Sequence, residues 1–222
     1  MAIDFSSFFT RYEALVQQAE NAFNQVKENF PDCVKCEVTC SDCCFALFDL
    51  TLVEAIYINH KFKEKYSGKE LEALLEKCNE TDRILFKIKR RAYKEAEAGK
   101  PEADVLTDMA KERVRCPMLN AEQRCDIYPF RPITCRLYGI PTAIGGTGHT
   151  CGRSGFEAGK PYPTVHLELI QSRLYEISND ISLAIKSRYS GLADMLVPLS
   201  MALLTDFNEE YLGVRKKTEK AE

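Results

Sequence analysis

The chain has 222 residues, 45% hydrophobic and 28% charged, with 30 Lys and Arg against 33 Asp and Glu for a formal net charge of -3. That length fits one domain able to bury roughly 70% of its unfolded surface. The charge balance leaves no basic field to gather nucleic acid or an anionic membrane, so neither is expected as a partner.

The N-terminus lacks the basic start and the apolar run of about 7 to 15 residues of a secretory signal. The apolar-rich stretch from Leu192 to Leu204 is broken by Asp194, Pro198 and Ser200 and is too short to span a membrane. A cytoplasmic location is the expectation. Residues 5 to 30 repeat apolar side chains at three- and four-residue steps, from Phe5 to Phe30, which predicts an amphipathic helix closed by Pro31. Thr51 with Glu54, then Ser67 with Glu70, have the form of capping boxes and predict helices to about Tyr66 and to residue 98, the second stopped by Gly99 and Pro101. A short helix is expected within 102 to 115. From Cys116 to Pro163 seven of the 11 glycines and six of the nine prolines collect, so turns dominate, with a small hairpin expected around Leu119 to Ile127. Helical periodicity returns after Thr164 and runs to about residue 189. A kinked helix containing Pro198 is expected next, and a frayed tail over 214–222.

Ten cysteines beside three histidines and no tryptophan are the anomaly of the composition. In a reducing compartment metal binding explains them better than disulfides. Nine lie in two windows: Cys33, Cys36, Cys40, Cys43 and Cys44, then Cys116, Cys125, Cys135 and Cys151. Short spacings let two thiolates close on one metal at little loop-ordering cost. Neighbours Cys43 and Cys44 point apart on an extended backbone and are better read as serving two centres. Eight cysteines make two four-thiolate centres, and one centre per window is the local alternative. Arg131 and Arg136 flank Cys135, which Pro132 can place in a first helical turn; both arginines are candidates to offset the negative charge of a thiolate centre. Cys78 lies on the apolar stripe of the long helix and reads as a core residue. His149, two residues before Cys151, is a weaker candidate ligand. Gly145-Gly146-Thr147-Gly148 lacks the lysine of a phosphate loop and reads as a turn delivering Cys151. Soft thiolates and the Cys116-Pro117 step favour iron-sulfur over zinc.

The run Cys40-Ser41-Asp42-Cys43-Cys44, then Cys116-Pro117-Met118-Leu119 and Cys125-Asp126-Ile127-Tyr128-Pro129-Phe130-Arg131-Pro132-Ile133-Thr134-Cys135-Arg136, resembles the YkgJ-type (CxxCxxCC) cysteine-cluster family of zinc- or iron-chelating domains. The resemblance implies metal binding by about eight cysteines. Here three residues separate Cys36 from Cys40 and Cys33 is additional, so either Cys33 or Cys36 can take the first ligand place. A similar cluster accompanies flagellin lysine methylases, which implies an alternative: an enzyme using the cluster beside a substrate pocket.

The reading is therefore a mainly α chain, one domain over 1–222, in which a helical bundle frames a turn-rich metal module. The cysteine core spans 33–163 and the flanking helices 1–32 and 164–213. The expected role is a cytoplasmic metal-binding protein for electron transfer, sensing or metal handling, with metal ions and a redox or client protein as partners. A zinc-stabilised interaction module is the third reading. Because residues 116–163 look poor in apolar positions, metal is expected to order that module.

Overall fold

A computed structural model describes residues 3–215. It is mainly helical, with α1 (Ser6–Asn29), α2 (Leu52–Lys65), α3 (Gly68–Glu97), α4 (Glu102–Lys111), α5 (Ile133–Leu137), α6 (Leu167–Ala184) and α7 (Leu199–Leu204). Five short strands complete it: β1 (Leu50–Thr51), β2 (Thr142–Ile144), β3 (Thr147–His149), β4 (Val165–His166) and β5 (Leu196–Val197). Among the described residues no helix is long and apolar enough to cross a membrane.

Helix α2 is the centre of the molecule. Every residue from Leu52 to Asn59 is buried, because α1, α6 and α7 pack around it on different sides. Its Phe62 is wholly buried, as is Tyr12 of α1, and each such side chain contributes roughly 1.5–3 kcal/mol of transfer free energy. The polar groups carried inward are paired. Asn59 donates to the carbonyls of Ala202 at 2.9 Å, Leu203 at 3.3 Å and Thr205 at 3.0 Å, closing the C-terminal end of α7, and the Val53 amide donates to Ser178 Oγ at 3.2 Å. Helix α3 packs on α4 and α7, and α5 lies against α1.

The expected long helices form within one or two residues of their sequence limits, apart from the later start and earlier end of α6. Gly99 ends α3 with a φ of +91°, the left-handed cap conformation that glycine adopts without strain. The capping boxes are incomplete: neither Thr51 nor Ser67 caps a backbone amide with its side chain. Glu54 does return to accept the Thr51 amide.

Three expectations are corrected. Pro198 does not kink a helix; it precedes α7, where its missing amide proton has no intrahelical partner to lose, and Val197 before it is extended in β5, paired antiparallel with β1. The region 119–127 forms only a single bridge, Leu119 to Cys125. The hairpin is instead β2–β3, turned by Gly145 and Gly146 at φ +56° and +81°, the two positive values that a two-residue primed turn requires. Lastly, the first half of the turn-rich segment belongs to the core: Met118, Ile127, Ile133, Leu137 and Ile140 are each at most 2% exposed and pack with the helices. Of the expected frayed tail, Val214 pairs with Ser187, and residues from 216 on lie outside those described.

Candidate metal centre

Two backbone contacts join the cysteine windows. The Cys116 amide donates to the Cys44 carbonyl at 2.7 Å and the Val114 amide to the Phe45 carbonyl at 3.2 Å, so the segment leaving α4 runs beside the turn Asp42–Phe45. Helix α2 fixes the second window from beneath. Its C-terminal Lys65 and Tyr66 donate to the Asp126 carbonyl at 2.7 and 2.9 Å, next to Cys125, while buried Glu54 accepts the Ile133 amide at 3.2 Å, at the start of α5. Pro132 flanks α5 and Cys135 lies in its first turn, as its spacing from Pro132 suggests.

The sulfurs fall into two neighbouring groups. Cys44, Cys116, Cys125 and Cys135 form one: Cys44 and Cys135 each feel the charges of Cys116 and Cys125. Cys36, Cys40 and Cys151 form the other, converging with Cys43 on a small recess floored by Tyr138 and Gly139. Cys43 stands between the groups, within the electrostatic reach of Cys36 and hydrogen-bonded to Cys135 and Cys44. The grouping crosses the windows, because Cys151 joins cysteines of the first and Cys44 joins those of the second. All ten cysteines are free thiols. Among the described residues, no three Cys, His, Asp or Glu groups already stand in coordination geometry. Among side chains, Cys43 is bonded to Cys44 and Cys135, and Cys151 donates to Asp42.

Their chemistry fits a soft metal. Three of them receive a backbone amide from two residues ahead: Met118 to Cys116, Ile127 to Cys125, and Arg153 to Cys151 at 3.4 Å. Such N–H groups aimed at sulfur stabilise thiolate and orient a ligand. Burial pushes the thiols of Cys36 and Cys125 up to about 11 and that of Cys116 to about 12, so without metal they are neutral. Cys43 is the opposite: hydrogen bonds from Cys135 and Cys44 hold its thiol well below the ordinary range. Zinc and iron-sulfur centres both take four such thiolates.

Arg131 lies beside the sulfurs, its charge acting on Cys36, Cys43 and Cys125 while its guanidinium stacks 3.8 Å from the centroid of the Tyr128 ring. Arg136 is buried and directs its donors elsewhere, to Glu20 of α1 and to the Arg131 and Pro129 carbonyls at 3.0 and 2.8 Å, fastening α5 to the bundle. Cys33 sits in a turn closed by Phe30, its carbonyl accepting the Gly155 amide at 2.8 Å, and it lines neither cavity beside the sulfurs. His149 is exposed on β3. Cys78 is fully buried, as its place on the apolar stripe suggests, though near enough to Cys116 for their charges to interact.

Asp42 is the residue that sequence reasoning missed. Burial works to raise its carboxyl, but hydrogen bonds from Arg113, at 2.7 Å, and from Cys151, at 3.4 Å, hold it below the ordinary range. Arg153 lies 3.7 Å from it. Its position between Cys40 and Cys43 was the available signal, but Arg113, 71 residues away, was not visible from it.

Residues 33–152 match the family model CxxCxxCC, described as "Putative zinc- or iron-chelating domain". The chain belongs to this family. Membership in the CxxCxxCC family supports metal binding, zinc or iron, by the region in which the sulfurs gather. Neither the curated proteins nor the solved structures contain a match to this chain.

Proposed function

We propose that the chain folds as one unit and holds two four-thiolate iron-sulfur centres, the first on Cys36, Cys40, Cys43 and Cys151 and the second on Cys44, Cys116, Cys125 and Cys135. The observation that carries the reading is the two-part grouping of eight thiols, three of them met by amides from two residues ahead. Cys33 stays outside the ligand set and Cys36 takes the first place. Arg131 offsets part of the roughly two net negative charges that a four-thiolate centre brings. Arg113, Asp42 and Arg153 order the shell around Cys151.

Iron-sulfur centres supply one-electron chemistry, and the role proposed for them is electron transfer, sensing or metal handling in the cytoplasm, with a redox or client protein as partner. A second reading, an enzyme using the centre beside a substrate pocket, is favoured by a cavity of about 610 Å3 that seven of the cysteines line. The two-centre arrangement has a direct test. Cys40→Ser and Cys125→Ser should each remove one centre and leave the other, halving the metal per chain; loss of both centres, or of neither, from either variant contradicts the pairing.

A further inference from the structure

The cavity continues past the cysteines. Its far arm lies between α3, α4 and the start of α7, where Phe48, Leu85, Leu106, Met109 and Leu199 form the wall. None of these offers a thiolate, imidazole or carboxylate, so a metal held by the sulfurs leaves the arm unfilled. The whole cavity, its sulfur end included, measures about 610 Å3, against the roughly 300–1,000 Å3 of small-molecule sites, and the arm is the part of it that the centres leave open. Exposed apolar side chains collect at its lining: Val38 and Leu106 are each 58% exposed and Tyr128 36%, and all three face it.

Charge selects the class of guest. Among the lining cations, Lys89 pairs with Asp49 at 2.7 Å and Arg136 pairs with Glu20. Lys27, Arg115 and Arg131 have no carboxylate partner among the described residues, against a single unpaired lining carboxylate, Glu37. Against that surplus the two centres proposed above bring roughly four negative charges, so the loaded cavity repels an anion. The wall of the arm holds no carboxylate to replace the water of a cation, so a cationic guest would be desolvated there without compensation. A polar handle is available: the Thr81 hydroxyl has no hydrogen-bond partner among the described residues and lies one turn before Leu85 on the same face of α3.

We infer that this arm binds an uncharged, largely apolar organic molecule, with a hydrogen-bonding group directed to Thr81, alongside the sulfurs. The inference rests on the thiolate centre for its charge balance, and the test keeps the two separable. The chain has no tryptophan, so Leu106→Trp, at an exposed site, places a sole tryptophan on the cavity wall. The probes are N-phenyl-1-naphthylamine, which is neutral, and 8-anilinonaphthalene-1-sulfonate, which has the same ring body with a negative charge. Metal-loaded Leu106→Trp protein should bind one neutral probe per chain and lose tryptophan emission as it does, with the sulfonate at least about tenfold weaker. Met109→Glu, assayed by the probe's own fluorescence, should weaken the neutral probe by at least about tenfold while metal content and helical circular dichroism stay unchanged. Loaded protein that ignores the neutral probe, binds it without quenching the tryptophan, prefers the sulfonate or is indifferent to Met109→Glu overturns the inference and leaves the centres standing. If analysis of the same sample finds no metal, the centres themselves fail; the bare cavity then carries surplus positive charge, and preference for the sulfonate overturns the neutral guest with them.

Discussion

Cys78→Ser separates packing from ligation at the one cysteine outside the two windows. Cys78 is fully buried on the face of α3 that carries Leu74 and Leu85, and burial pushes its thiol up to about 12. It interacts electrostatically with Cys116, so distance alone does not exclude it as a ligand. Serine replaces a soft, weakly polar sulfur with a hydroxyl that must find a partner. A helical serine can donate to the carbonyl one turn back, here Leu74, which recovers part of the desolvation cost and leaves a loss of about 1–2 kcal/mol. For a chain of this length each kcal/mol lowers the Tm by about 2–4 °C, so the expected fall is about 2–8 °C. Scanning calorimetry of the anaerobically prepared protein reads that fall, and metal per chain with the visible spectrum should be unchanged. Cys135→Ser is the control: its sulfur belongs to the second group and interacts with Cys43 of the first, and serine should empty the second centre. If Cys78→Ser lost metal as Cys135→Ser does, the division between core and ligand would be wrong.

Gly139→Ala should displace the first centre, because an added Cβ would lie 2.6 Å from Cys36 Cβ and 3.2 Å from its sulfur; Cys33→Ser should leave metal content intact, and the reverse pattern would return Cys33 to the ligand set. Arg136→Lys should cost about 3 kcal/mol in chemical denaturation, since one ammonium cannot replace the guanidinium that meets Glu20 and two carbonyls, and a loss below about 0.5 kcal/mol would refute the fastening role. For Glu54, burial raises the carboxyl despite the amides and hydroxyls that donate to it. Its stabilising protonation is therefore complete below the ordinary value of 4.5 and lost as pH rises through the higher folded value. The stability difference between wild type and Glu54→Gln should shift against wild type across that window, and a difference independent of pH would contradict the burial argument.

The helices were legible because their signals are local: apolar steps of three and four residues, a proline after α1, a glycine after α3. What failed was local too. The apolar residues around Pro198 suggest a helix through it, although β5 owes its extended form to a partner strand near Leu50, far away in sequence. In the segment after Cys116 the glycines and prolines dominate the sequence signal, and its scattered Met118, Ile127, Ile133 and Ile140 show no periodicity that would announce their burial in the common core. At the site, spacing identified the cysteines as a set and suggested that Cys43 and Cys44 face different ways. It could not reveal that Cys151 crosses to the first window, that Arg136 turns to Glu20, or that Asp42 is bound by Arg113, since each depends on contacts between residues more than 70 positions apart.

The most direct test of the two-centre account is quantitative iron, zinc and acid-labile sulfide per chain, measured on protein isolated without oxygen. Two four-iron centres predict about eight irons and about as many sulfides, in brown protein that bleaches with dithionite. Colourless protein with stoichiometric zinc and no sulfide would contradict the iron-sulfur assignment, and protein carrying neither metal would contradict the account as a whole.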